Sequence, residues 1–344
     1  MLEALFDDCK RSLQIYDVDI LNSIRGTTLV ITGGSGFVGL WTTSFCLYLN
    51  DQYDFGINLI LIARRDTRVS EALPEIIKRS DIKFITSDIR QLFEVPSETD
   101  FVIHAAGTPD RRIHVSNPIE TMDIIASGTY RILRALEQCS KLRKMIHLSS
   151  ALVYGSVPVN TPSISENYSG LLNPINFTDA YTQAKRYSET LCISARHQTR
   201  IPIIIARPFS SLGPFQALDS PWALNNFLYA ALHNQPIKIL GDGETRRSYL
   251  YGSDFALLLL IMLASNTRTG EYNIGHSYGI SLTDLANEII RQIGHPLNIL
   301  HNTAGSKVKS SCLVPDMSKV KNEFNFTPAF SLPEAIERTF SWYS

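Results

Sequence analysis

Residues 28–39 read TLVITGGSGFVG, and no other stretch restricts the fold of this 344-residue chain so tightly. A β-branched run, Thr28 to Thr32, passes through Gly33, Gly36 and Gly39 into a segment of helical pattern over 37–50. Glycine at this spacing permits a tight turn and a close approach of backbone to another group. The helix beyond it would aim unpaired N–H groups and a positive dipole end at the turn, which suits the pyrophosphate of a dinucleotide. A glycine-rich turn is common by itself. The strand before it and the helix after it carry the assignment. The candidate contacts in this loop are Gly33, Ser35, Gly36, Phe37, Val38 and Gly39.

Similar apolar runs recur at 58–63 (NLILIA), 82–86 (IKFIT), 101–106 (FVIHAA), 144–149 (KMIHLS) and 201–206 (IPIIIA). Continuous rather than alternating hydrophobicity predicts strands covered on both faces, as in a parallel sheet. Helical patterns at 37–50, 118–139 and 179–197 fall between them, so the expected fold class is α/β, a Rossmann-type doubly wound parallel sheet. Past Arg207 the texture changes. Pro208, Gly213, Pro214 and Pro221 break the pattern before a helix at 222–233, a strand at 236–240, a GDGE turn and helices at 254–265 and 281–293. The expected organisation is a helical extension (1–26), a dinucleotide-binding domain (27–206), and a smaller mixed α/β lobe (207–344) interleaved with it, the two meeting in a cleft.

Composition narrows the partners. A formal net charge of -1 gives no global attraction to nucleic acid or to an acidic membrane. Five scattered cysteines form no C-x-x-C pair and no zinc spacing, which predicts a reducing cytoplasm and no metal. The N-terminus lacks a basic-then-apolar secretion layout, and the longest apolar run, Phe255 to Ala264, falls short of the ~20 residues that span a bilayer. A soluble protein is expected, with that run as a buried helix.

Three further positions suggest chemistry. Asp88 ends one strand, where a carboxylate could meet an adenine amino group, and Ala105, Ala106 and Gly107 end the next with little bulk. Tyr181 and Lys185, in YTQAK, share a helix face at i and i+4, so the ammonium is expected to lower the phenol's pKa for proton transfer. Ser149 and Ser150 close the strand KMIHLS, within reach of a substrate oxygen. Taken alone, such a Tyr–Lys pair is commonly a solvated helix face; its order after the glycine loop and the Ser-Ser strand end favours a site.

The segments TGGSGFVG, SDIR (87–90), IHAAG (103–107), LSSALVYG (148–155), YTQAK, RPFSSLGP (207–214) and GDGETRRSYLYGSD (241–254) together resemble the extended short-chain dehydrogenase/reductase family, in its nucleotide-sugar epimerase/dehydratase branch. The resemblance runs from about residue 27 to the C-terminus. It implies a bound nicotinamide dinucleotide, a nucleoside-diphosphate sugar as substrate, and a homodimer formed through the helix carrying Tyr181. It casts Tyr181 as general acid/base, Lys185 as its partner, Ser150 as the hydroxyl on the sugar oxygen, and Arg247 as the cation on the diphosphate. Ile89 and Pro208 join the cofactor-lining set, and Ser149, Ser210 and Asn273 the substrate-lining set.

The departures from that pattern are informative. The acid that dehydratases and decarboxylases of this branch carry just after the catalytic hydroxyl is replaced by Ala151 and Leu152. That disfavours 4,6-dehydration and carboxylate-assisted decarboxylation, leaving 4-keto reduction as the main expectation and C4 epimerisation as the alternative. Ile125 replaces an asparagine, Ser210 replaces another, and Ser306-Lys307 stand where a second diphosphate-binding arginine often lies. After the second strand, Ala63-Arg64-Arg65 replaces the acid that bonds the ribose of NAD. Arginine suits a 2′-phosphate, so NADP(H) is favoured; Asp66 turned back to the ribose would leave NAD(H).

Overall fold

The computed structural model describes residues 1–65, 67–92, 94–108, 110–173, 175–302 and 310–344. Its first half alternates as the pattern requires. Helix α1 (Leu2–Leu13) precedes β1 (Thr28–Thr32), α2 (Phe37–Tyr53), β2 (Asn58–Ala63), α3 (Thr67–Ala72) and β3 (Ile82–Thr86). Then come β4 (Phe101–His104), α4 (Arg111–Ser116), α5 (Pro118–Leu136), β5 (Lys144–Leu148), α6 (Ala180–Thr199) and β6 (Ile203–Pro208). The second half opens with β7 (Ser210–Leu212), α7 (Ala223–Leu232), β8 (Ile237–Leu240), β9 (Arg246–Arg247), β10 (Tyr249–Tyr251) and α8 (Gly252–Ala264). It ends with β11 (Gly270–Ile274), β12 (Ile280–Ser281), α9 (Leu282–Ile293), β13 (Ile299–Asn302), β14 (Cys312–Leu313), α10 (Ser318–Phe324) and α11 (Leu332–Tyr343).

Seven strands form one parallel sheet in the order β11-β6-β5-β4-β1-β2-β3. Every residue of β1 is buried. Leu29 and Ile31 belong to the core on one face, with Trp41, Phe45 and Leu257, while Val30 joins Ile132, Leu136 and Cys192 on the other. Period-2 alternation with both faces covered is the reason the run is apolar throughout. Strand β11, from the second half of the chain, pairs with β6 and completes the sheet edge. Small sheets, β10-β7, β12-β9-β14 and β13-β8, build the lobe beyond it.

The run 255–264 lies in α8, whose residues Gly252 to Leu263 are all buried. Among the described residues no helix is long and apolar enough to cross a membrane. The N-terminal segment caps this helix. Leu5, Cys9 and Leu13 of α1 enter the core, Ser12 donates to Asp254 at 2.7 Å, and Tyr251 donates to Asp8 at 2.7 Å. Asp254 in turn accepts from the backbone N–H of Ala329 and Phe330, tying both chain ends to α8.

Candidate active site

Strand order reverses direction between β1 and β4, and in such a sheet a crevice opens at the carboxyl ends of these two strands. Gly33 and Ala105 face each other across it. A Cβ on Gly33 would lie 2.7 Å from the Ala105 carbonyl oxygen, and Gly33 has φ of 74°, so side chains are excluded on both counts. A Cβ on Gly39 would meet Gly34 Cα at 2.6 Å. Helix α2 starts at Gly36 with no side-chain cap and no acid in its first turn, leaving its N–H groups and dipole free for an anion. Phe37 and Val38 supply that first turn.

Ser150 follows β5, and its hydroxyl faces Tyr181 of α6 closely enough to pull the phenol's pKa down. Lys185, one turn on, is buried and donates to the Leu148 carbonyl at 2.6 Å, its only hydrogen bond among the described residues. Its Nζ lies 4.0 Å from the point where a Gly107 Cβ would stand, which places spare ammonium donors under the crevice. Burial lowers Lys185 to about 8, against a smaller upward pull from Glu189. The Ser149 hydroxyl is buried with no partner, an orphaned donor at the same strand end.

One expectation is corrected here. Tyr181 was expected to be lowered by Lys185, yet its pKa is raised, because burial dominates and the opposing influence is the Ser150 hydrogen bond. Lys185 Nζ lies 5.9 Å from the Tyr181 ring centre, engaged with Leu148 instead. Two more of these residues have protein partners of their own. The Asp88 carboxylate is taken by Arg90, which bonds both its oxygens and brings it down to about 2, with desolvation opposing and Arg64 helping from further off. Asn273 is saturated: Nδ2 donates to the Ile164 and Asp316 carbonyls and Oδ1 accepts from Tyr154 at 2.6 Å. Its side chain braces the lobe rather than presenting a free group.

The remaining residues distribute around this centre. Ile89 packs in the core against Gly128, Pro208 closes β6, and Ser210 pairs with Tyr249. Arg64 and Arg65 are exposed at the end of β2; Asp66 and Ser306-Lys307 lie outside the described residues. Arg247 is enclosed and donates only to the Arg246 carbonyl and to Ser311, with no carboxylate partner among the described residues. Burial pushes its pKa down.

Three histidines were missed by the sequence reading. His104 and His147 stack at 5.4 Å inside the sheet, His104 between Thr32 and Thr129, His147 on Ser188. Burial drives both down, His104 to about 3, so both are neutral. His114 lies on the ring of Tyr181. Nothing in the spacing of these histidines along the chain announces such contacts.

The chain matches the model of the NAD dependent epimerase/dehydratase family over residues 29–275. It belongs to that family. UDP-glucuronic acid decarboxylase 1 of Arabidopsis thaliana is 29% identical over 317 residues, which cover 91% of this chain and 69% of that protein. An epimerase structure from Methanothermobacter thermautotrophicus superposes with a TM-score of 0.80 at 21% identity, covering 94% of each chain. A UDP-glucuronic acid 4-epimerase from Bacillus cereus, solved with UDP-glucuronic acid and NAD, superposes with a TM-score of 0.79 at 24% identity, covering 92% of this chain and 98% of that one. These are enzymes of the extended short-chain dehydrogenase/reductase type, and so is this family member. The residues present fit the family's dinucleotide: the Gly33–Ala105 crevice admits no side chain and the α2 N-terminus has no cap of its own.

Proposed function

We propose that this protein transfers a hydride at C4 of a nucleoside-diphosphate sugar, acting chiefly as a 4-keto reductase. The observation that carries this reading is the Ser150–Tyr181 hydroxyl pair set above a buried lysine with donors to spare. A nicotinamide dinucleotide, when bound, exchanges the hydride with C4. Tyr181 delivers the matching proton to the C4 oxygen, turning C=O into CH–OH, while Ser150 holds that oxygen and the Lys185 charge offsets the phenolate left behind. Arg247, lacking a carboxylate, would grip the diphosphate with its planar fork. Ser149 offers an unpaired hydroxyl to the same substrate, and Ser210 lines the approach.

Arg64 and Arg65, exposed at the end of β2, favour NADP(H) over NAD(H), and a dissociable NADPH suits reduction. A second reading is C4 epimerisation with retained NAD, supported by the family's NAD dependence and by the epimerase structures this chain resembles. Decarboxylation is named in the curated relatives, but here Ala151 and Leu152 place no carboxylate beside Ser150. Exposed apolar side chains Ile119, Met122 and Tyr130 on α5 and Tyr187 and Ile193 on α6 support a homodimer through these helices. The five buried free thiols suit a reducing cytoplasm.

The test is to release and weigh the dinucleotide from denatured protein, then assay UDP-glucose, UDP-glucuronic acid and their 4-keto derivatives with NADPH and NAD. Consumption of NADPH by a 4-keto sugar supports reduction. Retained NAD with interconversion of C4 epimers replaces it by the second reading, and carbon dioxide release from UDP-glucuronic acid overturns both.

A further inference from the structure

His114 has no part in the mechanism above, yet it touches the acid/base residue. It sits in α4, which begins where the Asp110 carboxylate accepts from the Arg112 N–H at 2.8 Å. Its imidazole is 3% exposed and lies flat on the Tyr181 phenol, ring centres 4.1 Å apart and planes within 12°. Nε2 stands 2.6 Å from the Thr108 carbonyl oxygen; a carbonyl only accepts, so Nε2 carries the hydrogen. The charged groups facing the ring are Asp110, Lys185 and Arg111, and the net of burial and these charges keeps it neutral at neutral pH. Face-to-face stacking sets π surface against π surface, so no proton passes between the two rings. What the contact supplies is orientation. The imidazole is anchored at one edge by Thr108 and restricts the phenol's rotation, while Ser150 stands at the hydroxyl end.

We propose that His114 is a positioning residue for Tyr181, clamping the phenol between an imidazole anchored on Thr108 and the Ser150 hydroxyl so that its oxygen stays aimed at the reacting sugar oxygen. The clamp rests on the reading of Tyr181 as acid/base. It also links that residue to the segment after β4, which forms one wall of the Gly33–Ala105 crevice.

The test uses full-length protein carrying [13Cε]tyrosine, with the Tyr181 signal identified by its loss in Tyr181→Phe. His114→Ala removes the ring, and His114→Phe keeps a flat ring without the Thr108 bond. In His114→Ala the Tyr181 signal should move downfield as the ring current is lost, and its ring flips should quicken at least ~10-fold. Turnover of the UDP-sugar accepted in the screen above should fall ~10-fold in kcat with KM within ~3-fold, and His114→Phe should restore most of both, in line with an aromatic pair of ordinary strength. If His114→Ala does not fold, His114→Leu fills the space without a flat ring and takes its place. Unchanged Tyr181 signals, or unchanged kcat in a protein that Tyr181→Phe inactivates, overturns the clamp alone. Full activity in Tyr181→Phe overturns the reading of Tyr181 and the clamp with it.

Discussion

The two ends of strand β5 each hold a buried lysine, and the comparison separates structure from function. Lys144, at the amino end, donates to the carbonyls of Met262, Leu263 and Ser265 at 2.7, 3.0 and 2.7 Å, closing the C-terminus of α8. Lys185, at the carboxyl end, bonds Leu148 and nothing else among the described residues. Burial brings both to about 8. The same shift therefore accompanies a saturated ammonium and an open one. Spare donors, rather than the displaced pKa, distinguish the lysine proposed to act in the site.

The arginines repeat the contrast. Arg207 grips both oxygens of Glu189 and also bonds Tyr154 and the Glu166 carbonyl; burial pulls its pKa down, but Glu189 outweighs it and the net is up. Among the described residues Arg247 bonds only backbone and Ser311, and its pKa is down. One guanidinium is a closed brace. The other is the one proposed to grip a diphosphate.

The sharpest break of this comparison comes at Tyr181, whose change to Phe should cut kcat about 10³-fold with an unchanged melting temperature. Equal loss of stability would instead make the Ser150 contact structural. Next come the arginines. Arg207→Met leaves Glu189 buried and unpaired and should cost about 3–5 kcal/mol in urea unfolding, whereas Arg247→Met should hold or gain stability while raising KM for the nucleotide sugar about 10²-fold. Reversed outcomes would exchange their roles.

The lysines follow. Lys144→Met should cost about 2–3 kcal/mol by stranding carbonyls at the end of α8, with activity kept; Lys185→Met should keep the fold and lower kcat about 10²-fold. Their pH dependence has a definite sign. Both pKa values fall from 10.5 to about 8 on folding, so the charge-burial cost is full below pH 8 and fades as pH rises toward 10.5. Wild-type stability should therefore rise across that window relative to either Met variant, while kcat falls above pH 8 as Lys185 loses its charge. The smallest effect is expected at Arg64, where Arg64→Asp should move the ratio of NADPH to NADH affinity about 10-fold toward NADH, read by titration of each cofactor. No movement would remove the basic strand end from cofactor choice.

The residues show why some of this was legible and some was not. Strands β1, β2 and β3 coincide with their apolar runs, and β4 stops at His104, two residues before its run ends. Strands β9, β12 and β14 have two residues each, too short for any period to register, and they form the sheet that carries Arg247. The i, i+4 spacing of Tyr181 and Lys185 was readable, but the carbonyl that draws Lys185 aside belongs to Leu148, 37 residues away. Asn273 looked like a site residue, and its commitment to Ile164, Asp316 and Tyr154 depends on contacts 43 to 119 residues distant.

By itself the sequence determined what local physics governs: a parallel sheet from apolar runs, helices from their period, and a glycine turn where Gly33 must take a positive φ against a neighbouring strand. It also determined the absence of a carboxylate at 151 and 152. Only the tertiary structure decided which buried cations keep open valence, and that His114 lies on Tyr181. Hydrogen-bond saturation and ring stacking are short-ranged in space, and the partners that decide them are distant in the chain.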